Sequence, residues 1–186
     1  MSASRRADLI AAASTLFEQN GFHATGIDKI LARSGAAKMT LYNHFKSKDD
    51  LIVAVLEQRD QEYCQWLREQ VQASGTSGTD QVLSVFDALE VWLRSDSFHG
   101  CLFTCAANEY ADQDHPIHLQ AAEHKRHIFD LLHELATDAQ CADPRGTAQQ
   151  LLLLYEGAIA VAHALDAPIA ARQARRAAAA LLAEGA

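Results

Sequence analysis

The chain has 186 residues, of which 49% are apolar, and a formal net charge of -8. A chain of this length buries well over half of its unfolded surface, so it needs no staples such as disulfides. No apolar run reaches the roughly 18 residues of a membrane span, and the N-terminus, MSASRRADLIAAAS, lacks the apolar stretch of a signal peptide. We therefore expect a cytoplasmic protein whose four cysteines are reduced.

Charge is distributed unevenly along the chain. Residues 1–50 carry seven basic and five acidic side chains, a net of +2, whereas residues 51–186 carry nine and nineteen, a net of -10. A basic end on an acidic body favours a polyanion partner that binds at the N-terminus alone. A difference of this size also arises by chance, so the interpretation needs the support of a motif.

The first two predicted helices follow one another closely. Apolar residues repeat with helical spacing from Leu9 to Phe17, and Gly21 is a typical residue to end that helix. The second helix starts at TGID, where the Thr25 hydroxyl is expected to accept a hydrogen bond from a first-turn amide. Gly35 then ends the second helix.

A third predicted helix lies in GAAKMTLYNHF, residues 35–45, and is too short to be stable alone. Leu41 and Phe45 lie one turn apart and are expected to pack on the first helix. Two helices joined by a short turn form a helix-turn-helix motif, whose second helix enters the DNA major groove. The opposite face is therefore predicted to read DNA through Lys38, Met39, Thr40, Asn43 and His44.

Helical periodicity continues to the end of the chain. A cap at SKDD, residues 47–50, starts a long fourth helix, and SGTSGTD, residues 74–80, ends it. The later helices are predicted at about residues 82–93, 100–112, 117–138, 147–166 and 168–184. No strand-like alternation appears. The predicted fold is all-α with about nine helices: a helix-turn-helix domain over residues 1–47 and a helical effector-binding and dimerisation domain over residues 48–186.

Residues 17–52, FEQNGFHATGIDKILARSGAAKMTLYNHFKSKDDLI, resemble the tetracycline-repressor (TetR) family of bacterial transcription regulators. Many positions with fixed spacing, from Thr25 to Leu51, carry the resemblance, and a weaker likeness continues at residues 100–103 and 115–116. The resemblance implies a homodimer with an N-terminal DNA-binding domain. It also implies a helical C-terminal domain that binds a small molecule and releases operator DNA.

The resemblance also implies roles for single residues. Thr25 and the first amides of the second helix would hold a phosphate, and Tyr42, His44 and Lys48 would contact others. Ala37 and Met39 depart from the residues that many members carry, so no base preference is predicted. The expected DNA contacts are Thr25, Ala37, Lys38, Met39, Thr40, Tyr42, Asn43, His44 and Lys48.

The last two predicted helices favour dimerisation. The segment LLLLYEGAIAVAHAL, residues 151–165, is apolar nearly all round, so it needs cover on more than one side. One side can face the domain core, and the other can face a second copy of the chain. The alanine-rich segment that follows allows close helix approach. We therefore expect a homodimer formed through these two helices.

A small-molecule effector is expected to bind between helices of the C-terminal domain, among apolar side chains with a few polar groups. The sequence does not identify the effector, and aromatic residues at helical spacing also fit a plain core. The candidate lining residues are Phe86, Trp92, Phe103, Glu109, Phe129, Tyr155 and Ile159.

Cys101 and Cys105 are one helical turn apart, which leaves a metal-sensing or thiol-sensing regulator open as an alternative. Three histidines are near in sequence: His99, His115 and His118. The spacing matches no common zinc pattern, and a free cysteine usually behaves as a small apolar residue. We therefore predict no metal and no cofactor, and we expect His124, His127 and His133 to be solvated on one charged helix.

Two further classes of protein are considered. An enzyme could use Glu109, Asp112 and His115 as acid–base partners, but the sequence contains no nucleophile elbow, phosphate loop or metal-binding helix motif. A dimeric helical ligand-binding protein without DNA binding is the other alternative. We favour a homodimeric, non-enzymatic transcription repressor that binds operator DNA and is released by an effector.

Overall fold

The computed structural model describes residues 2–165 and 167–184. Over these residues the chain forms nine α-helices and no β-strand, which confirms the predicted fold class. Among the described helices, none is long and apolar enough to cross a membrane. The helices are α1 Ser2–Asn20, α2 Ile27–Ser34, α3 Lys38–His44, α4 Lys48–Ala73, α5 Thr79–Leu93, α6 Leu102–Glu109, α7 Pro116–Asp138, α8 Pro144–Leu165 and α9 Ala170–Glu184.

The chain divides into two compact units. Unit 1 consists of Met1–Gln61 and Leu102–His124, and unit 2 consists of Glu62–Cys101 and Lys125–Ala186. Unit 1 therefore contains α6 and the first part of α7 in addition to the helix-turn-helix. The domain boundary after residue 47 stays a prediction.

The core of unit 1 explains why the short helix α3 is stable. Leu41 of α3 is 0% exposed and Phe45, the residue after its end, is 4% exposed, so both predicted anchor residues are buried. Leu9 and Phe17 of α1 are also buried, and α3 packs on α1. The short helix is therefore held from behind, and its outer face is left to solvent.

Two turns in unit 1 follow the sequence predictions. Gly35 has a φ of 66°, a left-handed conformation that glycine adopts readily, and its amide donates to the Leu31 carbonyl at 2.9 Å. At the start of α4, the Ser47 hydroxyl accepts a hydrogen bond from the Asp50 amide at 3.0 Å. The Asp50 carboxylate in turn accepts one from the Lys46 amide at 2.9 Å. Both ends of this cap are therefore satisfied.

The predicted role of Thr25 as a helix cap is wrong. Gly26 is the N-cap of α2, and no side chain caps it. Thr25 is 0% exposed, and its hydroxyl donates to the Gly21 carbonyl at 2.7 Å. A second contact joins it to the Leu16 carbonyl at 3.3 Å. The physical reason is that the Gly21 carbonyl, directly after α1, needs a donor, and the Thr25 hydroxyl supplies it.

Unit 2 is a helical bundle in which α5 packs on α8 and α9. Its buried core includes Leu67, Phe86, Leu132, Leu151 and Ala178, each 0% exposed. An apolar core of this kind is what the predicted periodicity of these helices requires.

Helix α8 begins three residues earlier than predicted, because the break signal ADPRG is also a start signal. The Asp143 carboxylate accepts the Gly146 amide at 3.0 Å, and Pro144 occupies the first helical position, where its missing amide costs nothing. A second break was predicted at Asp166–Pro168. Asp166 lies outside the described residues, and Pro168 precedes α9.

The expectation that His124 is solvated is also wrong. Its side chain is 5% exposed, and its Nδ1 lies 2.7 Å from an Asp60 carboxylate oxygen. The Phe103 ring stacks on the imidazole with 3.7 Å between ring centroids. Charged neighbours in the sequence suggested a solvated face, whereas the partner Asp60 is 64 residues away along the chain.

Candidate nucleic-acid interface

The outer face of α3 presents a continuous set of exposed side chains. Met39 is 71% exposed and Tyr42 is 46% exposed, although both are large and partly apolar. Ala37, Lys38 and Asn43 are also exposed. Thr40 and His44 are half-buried at the edges of this face. Burying residues of this kind against a partner is more favourable than leaving them in water, so the face has the character of a binding surface.

The starts of α2 and α3 both leave backbone donors for a partner. Gly26 and Ala37 are the N-caps, and neither helix start has a side-chain cap hydrogen bond. The first amides of a helix have no partner inside the helix, and together with the helix dipole they favour an anion. Gly26 also leaves open space where a side chain would project. Phosphate oxygens are anions that such amides can bind.

Unit 1 also has exposed basic residues on and directly after the two helices of the motif. Lys29 and Arg33 lie on α2, Lys38 begins α3, and Lys46 follows it, and all four side chains are exposed. Unit 1 thus carries the basic residues that the charge distribution of the sequence predicted for the N-terminal end. Side chains of this type supply most of the affinity of a protein for a nucleic-acid backbone.

Two of the predicted contact residues lie elsewhere. Thr25 is fully buried, so its side chain is not accessible to a partner. Lys48 is half-buried, and its Nζ donates to the Phe22 carbonyl at 2.6 Å. Burial lowers the pKa of Lys48, although the nearby Asp49 and Glu109 carboxylates act in the opposite direction. Both side chains bind backbone carbonyls of the turn between α1 and α2 and are not part of the outer face of α3.

Glu109 was predicted to line an effector site, and in unit 1 its carboxylate instead contacts this same turn. Oε1 accepts the Phe22 amide at 2.9 Å, and Oε2 accepts the His23 amide at 2.6 Å. Burial raises the pKa of Glu109, but the hydrogen bonds from His23 and Phe22 outweigh it, so the pKa lies below its ordinary value. The carboxylate is therefore held in its charged form.

The other predicted effector residues are divided between the units. Phe86, Tyr155 and Ile159 are buried in the core of unit 2, and Trp92 and Phe129 pack against it partly buried. Phe103 belongs to unit 1, where it stacks on His124. A single effector site lined by these residues stays a prediction.

Unit 2 also contains polar side chains, Tyr63, Lys125 and Glu156, that the sequence analysis did not assign to a site. The hydroxyls of Tyr63 and Tyr155 are hydrogen-bonded to each other. Lys125 Nζ lies 2.6 Å from a Glu156 carboxylate oxygen and donates to Cys101 Sγ at 3.3 Å. The signal for the Lys125–Glu156 pair was Glu156, a charge inside the most apolar helix of the sequence.

The cysteines and histidines of the alternative metal-sensing or thiol-sensing site have separate local partners. Cys101 contacts Lys125 in unit 2, whereas the Cys105 thiol donates to Glu109 Oε1 at 3.3 Å in unit 1. The other contacts are His99 Nδ1 with the Ser97 carbonyl at 3.1 Å, His115 Nε2 with Asp49 at 3.7 Å and His118 Nδ1 with the Tyr110 carbonyl at 2.8 Å.

Both the N-terminal and the C-terminal part of the chain match a known protein family. The family model described as bacterial regulatory proteins, tetR family, matches residues 9–55. The model described as tetracyclin repressor-like, C-terminal domain, matches residues 78–178. The first match includes the whole helix-turn-helix and its exposed α3 face. The second match runs from the segment before α5 into α9.

Individual relatives extend over most of the chain. The HTH-type transcriptional regulator YjdC of Escherichia coli (strain K12) is 27% identical over 155 residues, which cover 83% of this chain and 81% of that protein. The HTH-type transcriptional repressor NemR of the same strain is 26% identical, with 82% and 81% covered. The crystal structure of SCO4454, a TetR-family transcriptional regulator from Streptomyces coelicolor, has a TM-score of 0.87 at 31% identity and covers 98% of this chain and 96% of that one.

Proposed function

The chain belongs to the tetR family of bacterial regulatory proteins and is a DNA-binding transcriptional regulator, and we propose that it acts as a homodimeric repressor that a small-molecule effector releases from its operator. The observation that carries this proposal is the exposed face of α3, which is anchored from behind by Leu41 and Phe45. A seven-residue helix held outward in this way has the shape that enters a major groove. The activity would take place in the cytoplasm, where the operator lies.

Contacts with DNA would come from two helices of the domain that we propose for residues 1–47. Lys38, Met39, Thr40 and Asn43 would face the bases, and an exposed methionine suits the methyl group of thymine. Tyr42, His44 and the first amides of α2 would contact phosphates. Thr25 and Lys48 would act by holding the α1–α2 turn.

The proposed dimer forms through α8 and α9. Leu153 and Leu165 of α8 are 73% and 72% exposed, and Val161 is 45% exposed. Single exposed apolar residues are common on proteins, but three on one nearly apolar helix favour a partner. Gly157 lies on the same helix, is exposed, and leaves open space around it. Two copies would place their α3 helices about one DNA turn, roughly 34 Å, apart.

The effector would bind in unit 2, which holds five of the seven predicted lining residues in its core or packed against it. Tyr63, Tyr155 and the Lys125–Glu156 pair would supply its polar groups. An effector with different affinities for two conformations shifts the population toward the one it prefers, and this would separate the recognition helices. The relatives are regulators rather than enzymes, and no catalytic step, cofactor or metal enters the proposed mechanism.

The experiment that tests this function is selection of DNA from a randomised duplex library by the purified protein. We expect one palindromic sequence to be enriched, with a bound complex containing two subunits. If a dimer makes about eight phosphate contacts, its affinity for that duplex should fall roughly a thousandfold or more between about 50 and 200 mM salt. Failure to enrich any duplex would favour the helical ligand-binding protein instead.

A thiol-sensing regulator is the second candidate, because Lys125 Nζ donates to Cys101 Sγ at 3.3 Å. An ammonium group beside a sulfur is a typical neighbour of a reactive cysteine. Treating the protein with hydrogen peroxide and measuring its affinity for the selected duplex tests this candidate. Release that persists in the Cys101→Ser variant would exclude Cys101 as the sensor.

A further inference from the structure

The turn between α1 and α2, residues 21–26, is held by two charged side chains of opposite sign. Lys48, the first residue of α4, donates to the Phe22 carbonyl at 2.6 Å. Glu109, the last residue of α6, accepts the Phe22 and His23 amides at 2.9 and 2.6 Å. Both the amide and the carbonyl of Phe22 are therefore hydrogen-bonded to a charged side chain.

The contact of Glu109 is closely fitted to its surroundings. Both carboxylate oxygens accept a backbone amide, and hydrogen bonds to an ionised acceptor are roughly twice as strong as neutral ones. Gly21 has a φ of +78°, and a Cβ built there would lie 2.7 Å from Glu109 Oε1. Only glycine therefore allows the carboxylate to come this close to the turn.

The held turn leads directly into the proposed DNA-binding surface. It ends at Gly26, the N-cap of α2, whose first amides are the proposed phosphate donors. Inside the turn, the Thr25 hydroxyl donates to the carbonyl of Gly21, which directly precedes Phe22, so the start of α2 is tied to the part of the turn that Glu109 binds. A displacement of the turn would move those amides relative to α3.

From this geometry we propose that Glu109 is a positioning residue for DNA binding. Its carboxylate holds the α1–α2 turn in the conformation in which the amides of α2 and the face of α3 engage one duplex together. Glu109 itself touches no DNA. This inference rests on the proposed function, and it adds a residue outside the helix-turn-helix to the set that determines operator affinity.

Glu109→Ala tests the proposal, with Asn108→Ala as the control, because Asn108 is an exposed neighbour on the same helix. We expect the amides of Phe22 and His23 to exchange with deuterium faster in Glu109→Ala but not in Asn108→Ala. We also expect Glu109→Ala to weaken binding to the selected duplex roughly tenfold, the effect of about 1.4 kcal/mol, with an unchanged salt slope. Affinity is compared well below the unfolding temperature of each variant.

A second pair of variants serves if Glu109→Ala does not fold. Gly21→Ala pushes a Cβ toward Glu109, whereas Gly75→Ala introduces an equal side chain at a similar φ of +63° with nothing within 4 Å. Gly21→Ala should therefore weaken DNA binding more than Gly75→Ala does. In the double variant Gly21→Ala/Glu109→Ala, where it folds, the new Cβ no longer meets a carboxylate. The part of the loss of DNA affinity that this contact causes in Gly21→Ala should therefore be absent.

Three outcomes would overturn the inference. The first is unchanged exchange of both amides in Glu109→Ala, and the second is a lowered Tm with unchanged DNA affinity, as a purely structural residue would give. The third is equal loss of affinity in Gly21→Ala and Gly75→Ala. If the wild-type protein selects no duplex, the proposed function fails by itself, and amide exchange alone then decides whether Glu109 holds the turn.

Discussion

At the scale of single residues, buried apolar side chains anchor α3, and two polar side chains bind the backbone of the α1–α2 turn. Leu41 and Phe45 follow from helical spacing, and both are buried. Thr25 and Lys48 have side chains that suit a phosphate, yet both bind backbone carbonyls of the α1–α2 turn. Their partners are set by the path of the turn, which no periodicity encodes.

Thr25→Val is predicted to destabilise the protein, because it removes the hydroxyl while keeping the volume of the side chain. The Gly21 carbonyl would lose its buried donor, at a cost of about 1–3 kcal/mol in the free energy of unfolding. Urea denaturation measures the change, and Thr25→Ser, which keeps the hydroxyl, is the control. An equal loss in both variants would contradict the role given to the hydroxyl.

Glu109 should make stability depend on pH in acid. Its pKa is lowered in the folded protein, so its contribution is fully present above the unfolded value of about 4.3 and is lost as pH falls through the lower folded value. The difference in unfolding free energy between wild type and Glu109→Gln should therefore shrink below about pH 4. Urea denaturation of both proteins from pH 3 to 6 tests this. A constant difference would contradict it.

At the scale of elements, α3 separates anchoring from recognition on its two faces. Leu41→Ala should cost about 2–5 kcal/mol of unfolding free energy, because the residue is fully buried. Met39→Ala, at a position that is 71% exposed, should stay within about 0.5 kcal/mol of wild type and yet weaken binding to the selected duplex. Thermal unfolding and fluorescence anisotropy give the two readings. Unchanged affinity in Met39→Ala would remove that residue from the interface.

The predicted elements were reliable in type and less reliable at their ends. The helical spacing of apolar residues predicted all nine described helices. ADPRG was interpreted as a break only, whereas Asp143 and Pro144 together start α8. Segment α6, predicted over residues 100–112, is confined to Leu102–Glu109. Caps depend on the backbone conformation of a few residues, which composition does not fix.

At the scale of the whole molecule, the sequence indicated a DNA-binding regulator but not the contacts that join distant segments. Glu109 and Phe22 are 87 residues apart, and Lys125 and Glu156 are 31 apart. Such pairs require the packing of helices, which a single sequence does not reveal. For the same reason the sequence predicts effector residues by their type alone. Glu109, one of these residues, contacts the α1–α2 turn of unit 1.

Assembly gives the prediction at this scale. Leu153→Glu places a charge on the proposed dimer face at a residue that is 73% exposed, so the single subunit should remain folded. We expect a monomer by sedimentation, with loss of affinity for the palindromic duplex, because burying an unpaired charge in an interface is costly. Leu119→Glu, at an exposed leucine of unit 1, should remain a dimer. A dimeric Leu153→Glu protein would place the interface elsewhere.

Gly157 is exposed in the middle of α8, and a methyl group there would meet nothing within 4 Å. For an isolated subunit, Gly157→Ala should therefore be a gain of roughly 0.5–1 kcal/mol, since alanine is the better helix former. Glycine at this position lowers the folding stability, but it leaves the helix backbone uncovered by a side chain. If a second subunit packs against Gly157, the alanine methyl group would stabilise the fold but weaken the dimer. Gly157→Ala would then unfold at a higher temperature than wild type and yet dissociate into single subunits at a higher protein concentration.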